Sequence, residues 1–168
     1  MRWLRQWGPA MAWAVVIFAL STQALSAQAT GRIIIPLLHW LLPQASLETL
    51  AWLHFALRKS GHFVEYFIFS FLVLRGIRGE RKAWELRWAL ATVAIAACYA
   101  VLDEVHQAFV PQRTASPLDS LLDTSGAVAA QLFAWAYVRW RSRRLGHSAA
   151  NRVPAKRQTQ SRGRPQRE

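Results

Sequence analysis

Four short polar segments interrupt the apolar sequence of this chain, and they hold the residue types that could do chemistry. Ser21-Thr22-Gln23 closes an apolar run. A second segment carries Lys59, His62, Glu65 and Tyr66. A third carries Tyr99, Asp103, Glu104, His106 and Gln107, and a fourth carries Arg113, Asp119 and Asp123. Carboxylates and imidazoles in apolar surroundings suit general acid–base catalysis, because burial brings their proton affinity toward working pH. His62, Glu65, Asp103, Glu104 and His106 are the catalytic candidates. Lys59 and Arg113 could hold phosphate oxygens, Arg in a bidentate manner. Gln23, Tyr66, Gln107, Asp119 and Asp123 complete the candidate binding set. Asp103, Glu104, His106, Asp119 and Asp123 could instead ligate a divalent cation, although their spacing matches no established metal motif.

Helical spacing sorts these groups into stripes. Lys59, His62 and Tyr66 share one, with Glu65 beside His62. Tyr99, Asp103, His106 and Gln107 share another. Asp119 and Asp123, four apart, stack on one face, which Ala127 and Ala130 continue with side chains small enough for close helix packing. The bland alternative is an ion-pair network in which Lys59 and Arg113 neutralise carboxylates and lock helices together. Buried ion pairs alone are poor stabilisers, which favours a functional reading of the cluster. Singly, His62 could be a packing residue, Tyr66 and Tyr99 core aromatics, and Ser21 and Thr22 groups bonded back to their own helix.

Elements must exist to position these groups. The chain has 168 residues, is 53% hydrophobic and yet carries a net charge of +12. That pairing is unusual for a soluble domain and ordinary for apolar membrane spans with basic flanks. Nine Trp fit a protein with many headgroup-level positions. There is no phosphate-binding glycine loop, no paired-Cys motif, no repeat and no strand-like alternation. The lone Cys98 permits no internal disulfide. Helical runs are read at Pro9–Leu25, Ser60–Leu74, Trp88–Val110 and Leu118–Val138. Gly31–Leu57, broken by Pro36 and Pro43, reads as one or two interfacial or re-entrant helices, including an amphipathic one from Ser46 to Arg58. His39 and His54 in that stretch should face headgroups or water.

The first run also resembles a signal peptide, with Arg2 and Arg5 before it and Ala27-Gln28-Ala29 after it; retention as a helix is the preferred reading. The purely apolar parts of the other three runs are about 14, 22 and 20 Å long, short of the roughly 30 Å of a bilayer core. Each must therefore include its polar end. Seventeen of the 21 basic residues fall at the N-terminus, in the loop Arg75–Arg87, or from Arg139 onward, leaving Arg32, Arg58, Lys59 and Arg113. This asymmetry predicts cytoplasmic termini and brings all the polar ends together at the outer surface.

With those residues assembled, the chain resembles the VanZ-like family over roughly residues 10–138. The resemblance rests on Ser21-Thr22-Gln23, the segment Lys59 to Tyr66, Tyr99 with Asp103-Glu104-Val105-His106-Gln107-Ala108-Phe109, and then Pro111, Arg113, Asp119, Asp123 and Gly126. Asp123 stands where many members carry Asn, which adds a negative charge. The resemblance implies a bacterial cytoplasmic-membrane protein from a family linked to teicoplanin resistance and distantly similar to enzymes acting on lipid head groups.

The expectation is an all-α protein: a bundle of four transmembrane helices with interfacial or re-entrant helices between the first and second. Residues 1–140 would form the VanZ-like domain and 141–168 a basic, disordered cytoplasmic tail. The outer pocket would act on a phosphate-bearing lipid head group or lipid-linked glycan precursor. The alternative is a non-enzymatic protein that binds or shields such a precursor. The tail would meet anionic inner-leaflet lipids. No nucleic acid is expected, and the cofactor is open, with a divalent cation as candidate.

Overall fold

A computed structural model of the protein describes residues 1–22, 26–81, 83–111, 113 and 115–150, with side chains as far as Arg144. Five α-helices and no strand occur among them: α1 Arg2–Leu20, α2 Ala27–Leu41, α3 Leu47–Arg78, α4 Leu86–Ala108 and α5 Pro117–Ala150. Their ends are set locally. The Ser26 and Ser46 hydroxyls accept from the amides of Ala29 and Thr49, both at 3.2 Å, and so cap α2 and α3. Gly79, at φ +59°, ends α3 in a conformation that L side chains rarely adopt.

Several boundaries differ from the sequence expectation. α1 spans Arg2–Leu20 rather than Pro9–Leu25, with Pro9 inside the helix. Pro36 does not break its helix and lies inside α2, while Pro43 lies beyond the end of that helix. The amphipathic segment from Ser46 and the run from Ser60 are one continuous 32-residue helix, α3, which runs through the turn-favouring pair Ser60-Gly61, where Ser60 Oγ donates to the Ala56 carbonyl at 2.9 Å. The tail expected to be disordered from residue 141 is helical as far as Ala150; Arg, Leu and Ala favour helix, and the next proline is Pro154. Residues 151–168 lie outside the described residues.

Contacts at the two ends of the bundle fix its topology. At one end Trp7 and Gln6 of α1 meet Gly76 and Gly79 of α3, and Leu74, Trp88 and Ala134 pack together. At the other end Ser21 bonds Asp103, and Lys59 bonds Asp119. Thus α1 and α4 run one way, and α3 and α5 run the other. Between the ends, Ala10, Ile17, Tyr66, Phe69, Val73, Ala96, Ala100 and Ala127 form one buried core drawn from all four helices. Tyr99 Oη donates to the Ala14 carbonyl at 2.7 Å, and Trp13 Nε1 donates to the Glu65 carbonyl at 2.9 Å, tying α1 to its neighbours.

The closest approach is between α3 and α5. A Cβ at Gly126 would lie 2.3 Å from the Phe63 carbonyl oxygen. Ser70 Oγ donates to the Ala127 carbonyl at 3.0 Å, and Gln131 Nε2 donates to Ser70 Oγ at 2.8 Å. Small residues let two backbones meet this closely, and polar side chains then bridge them. The outside of the bundle is apolar: Val15, Phe18, Leu90, Ile95, Leu102, Leu132 and Phe133 are all exposed. Among the described residues, α4 is the helix long and apolar enough to cross a membrane by length and composition.

Gly126→Val should therefore separate α3 from α5. Overpacking of this kind costs about 1–3 kcal/mol or more, and the loss should appear as a lower midpoint in tryptophan-monitored thermal unfolding in detergent. Gly8→Ala, where an added Cβ meets nothing within 4 Å, should leave that midpoint unchanged or raise it.

Candidate functional site

The end of the bundle where α1 and α4 finish and α5 begins gathers the polar segments. Asp103 is buried on α4, and its Oδ2 accepts from Ser21 Oγ and from Gln107 Nε2, both at 2.8 Å. Ser21 thus reaches across to α4 rather than back to its own helix, while Thr22 does bond back, to the Ala19 carbonyl at 2.8 Å. Glu104, also buried, accepts the Ser116 amide on Oε2 at 2.7 Å. The first turn of α5 supplies Asp119, which pairs with Lys59 of α3. One turn further, Asp123 is fully buried and stands 3.4 Å from His62 Nδ1, long for a hydrogen bond but close enough for charge to act. Tyr66 is fully buried one turn below His62, and its hydroxyl has no hydrogen-bond partner among the described residues.

Arg113 closes this end. Its guanidinium donates to the Thr22 carbonyl, through Nε at 3.3 Å and Nη2 at 3.1 Å, and to the Leu20 carbonyl. These are carbonyls that the end of α1 leaves without helical partners, so a cation here satisfies both the hydrogen bonds and the helix dipole. Burial pushes the Arg113 guanidinium down from its ordinary value, yet such a group stays charged in proteins.

Two cavities open among these groups. One, about 250 Å³, is lined by Arg58, Lys59, His62, Gln107, Arg113 and Asp119, with His54 and Phe55 at its edge. The other, about 170 Å³, is lined by Ser21, Thr30, Arg58, His62, Glu65 and Arg113. Arg58, His62 and Arg113 border both. Three cations, Arg58, Lys59 and Arg113, border the larger cavity, Lys59 paired there with Asp119. An imidazole and a carboxylate on the cavity walls supply acid–base groups.

The structure therefore brings together Lys59, His62, Glu65, Gln107, Arg113 and Asp119 at the cavities, with Asp103, Glu104, Asp123 and Tyr66 buried behind them. It does not bring His106 there. That ring stacks on Phe18 of α1, with centroids 4.3 Å apart, and lines neither cavity. Gln23 lies outside the described residues. Sequence reasoning passed over Arg58 and misplaced His54. His54 is buried rather than facing headgroups or water, and its Nε2 lies 3.1 Å from Thr30 Oγ1. Burial, and then the charge of Arg58, lower its imidazole from the usual value, so it is neutral at pH 7. The missed signal was the four-residue step His54, Arg58, His62, one stripe of a helix.

Lys59 and Asp119 can be tested as a pair. Lys59→Met should lower stability by about 1–2 kcal/mol by leaving a partly buried carboxylate alone. The double variant Lys59→Met, Asp119→Leu should recover most of that loss in the same unfolding assay.

Comparison with curated proteins gave no match, and comparison with solved structures gave none. A family model described as VanZ/LLP1 matches residues 7–139. Most of the chain, including every residue that lines the two cavities, falls within that match, and the protein belongs to the VanZ/LLP1 family.

Proposed function

We propose that the protein is a multi-pass bacterial cytoplasmic-membrane protein whose outward-facing cavities bind and process a phosphate-bearing lipid head group or a lipid-linked envelope precursor. The observation that carries this reading is the wall of Arg58, Lys59 and Arg113 beside His62 and Glu65, at one end of a bundle with an apolar exterior.

In this reading α1, α3 from Arg58, α4 and α5 to Val138 span the bilayer. Helical segments of 19–23 residues are about 28–35 Å long, enough for a hydrocarbon core of roughly 30 Å once the polar ends are included. The exposed apolar side chains would then meet lipid. α2 and the first turns of α3 would lie at the outer surface, where exposed Trp40 and Trp52 suit headgroup depth. Arg75, Arg78, Arg81, Arg139 and Arg141 would sit on the cytoplasmic side with both termini, near anionic inner-leaflet lipids worth about 1 kcal/mol per basic residue. Intramembrane charges cost at least about 2.5 kcal/mol each on insertion scales, so they gather where a wet cavity or a partner receives them.

The chemistry follows from the wall. A head-group phosphate would rest against Arg58 and Arg113, which offset its charge as it rises in the transition state. His62 has Nδ1 turned to Asp123, which orients the ring and leaves Nε2 for the substrate side. Nε2 would take the proton of an attacking water or acceptor hydroxyl as its oxygen bonds phosphorus. The P–O bond to the leaving group then breaks, and the proton returns to that oxygen. Glu65 is the other acid–base candidate on the wall.

One observation favours a second reading, a binder that shields a lipid-linked precursor without turnover. Lys59 is engaged by Asp119, and Arg113 by two carbonyls, so part of the positive wall already has partners.

Two outcomes are expected. In intact cells lacking Cys98, Ala115→Cys should react with an impermeant maleimide, and Glu80→Cys should react only after permeabilisation; the reverse pattern would invert the topology. Purified protein given a panel of phospholipids and polyprenyl-linked glycans, read by mass spectrometry, should release a head group or phosphate. His62→Ala should lower that rate by about 10²–10⁴-fold, Arg58→Ala should lower kcat as well as raise KM, and His106→Ala should have little effect. Tight binding with no product in any arm would favour the shielding role.

A further inference from the structure

Behind the cavity wall lie three carboxylates that no lysine or arginine among the described residues pairs with; the nearest basic group is the His62 imidazole, 3.4 Å from Asp123. Asp103, Glu104 and Asp123 each offer an oxygen, and the three oxygens lie within 4.8 Å of one another. All three residues are buried. The cations at this end are committed elsewhere: Lys59 to Asp119, Arg113 to the carbonyls of α1. Five carboxylates, Glu65, Asp103, Glu104, Asp119 and Asp123, stand at this end of the bundle beside Arg58, Lys59, Arg113 and the His62 imidazole. Buried charge is tolerated when it is paired or coordinates a metal.

The hydrogen bonds leave coordination sites open. Glu104 uses Oε2 for the Ser116 amide, and its Oε1 is buried with no partner among the described residues. Both Asp123 carboxylate oxygens are buried and without a hydrogen-bond partner there. Asp103 is oriented through Oδ2 by Ser21 and Gln107. Outer groups that fix one oxygen and free another are what ligating carboxylates have. A separate observation comes from α3. The Tyr66 hydroxyl is fully buried and has no hydrogen-bond partner among the described residues, one helical turn along α3 from His62, whose Nδ1 stands 3.4 Å from Asp123.

We propose that Asp103, Glu104 and Asp123 form a divalent-cation site, with Tyr66 and His62 as its outer partners. An all-carboxylate oxygen set selects a hard ion such as Mg²⁺, Mn²⁺ or Ca²⁺. Ligand oxygens no more than 4.8 Å apart fit opposite positions around one ion at bond lengths of about 2.0–2.5 Å. The three carboxylates line neither cavity, and Asp123 joins them to the cavity wall through His62. The site deepens the head-group reading, but its test does not depend on turnover.

Full-length protein in detergent, stripped with chelating resin, is titrated with Mn²⁺ and read by electron paramagnetic resonance and by thermal unfolding. One Mn²⁺ per chain, displaced by Mg²⁺ or Ca²⁺, with a raised unfolding midpoint, is expected. Asp123→Asn and Glu104→Gln, which keep side-chain shape, should each weaken binding at least tenfold, while Glu48→Gln in the first turn of α3 should bind normally. Absence of bound Mn²⁺ in folded protein, or unchanged binding in the Asp123→Asn, Glu104→Gln double variant, overturns the site. Head-group release by the stripped protein without Mn²⁺ binding removes the cation and keeps the proposed function; Mn²⁺ binding without any release does the opposite.

Discussion

The contact between Gly126 and the Phe63 carbonyl sets the geometry of everything at the polar end. Because residue 126 has no side chain, α5 lies against the backbone of α3, and the helices stay in register through Ser70, Ala127 and Gln131. That register carries Asp123 to His62 and Asp119 to Lys59, each less than two turns from the contact. A bundle with an apolar exterior cannot rely on a hydrophobic core to choose between helix registers. Close backbone packing and bridging polar groups make the choice instead.

Given that register, the distribution of charge follows from cost. A carboxylate removed from water is stable only with a partner, and the bundle provides one for nearly every group. Asp103 has Ser21 and Gln107, Glu104 has a backbone amide, and Asp119 has Lys59. Arg113 serves the end of α1, so one side chain joins the α4–α5 connection to another helix. The groups left over are Arg58 at the cavities and the buried oxygens of Glu104 and Asp123, the latter beside His62.

The all-helical architecture could be read from the sequence, and so could most of the site. Periodicity located α4 and the start of α5 within two residues, since long apolar runs without turn signals have no other regular option, while α1 begins seven residues before the expected Pro9. It also gave the grouping of Lys59, His62 and Glu65, because spacings of three and four map directly onto a helix face. Pro36 was misread as a break because a proline removes one hydrogen bond, which a packed helix can forgo. His106 was placed on one stripe with Tyr99, Asp103 and Gln107, but it lies about 60° around the helix from Asp103 and about 100° from Gln107 at 3.6 residues per turn. Its ring meets Phe18 of α1 instead of the cavities.

Sequence alone determined which residues are costly to bury and therefore must converge: the ionisable groups at the ends of otherwise apolar helices. It determined as well that α5 could approach a neighbour closely, through Gly126, Ala127 and Ala130. Tertiary structure decided which neighbour that was, and so which base meets which acid. It also brought Arg58 and His54 into the cavity, turned His106 onto Phe18, and left Glu104 and Asp123 with unbonded oxygens. Local spacing fixes a side chain's angle about its own helix axis. The rotation and rise of one helix against another depend on contacts between residues far apart in the chain, which no local pattern encodes.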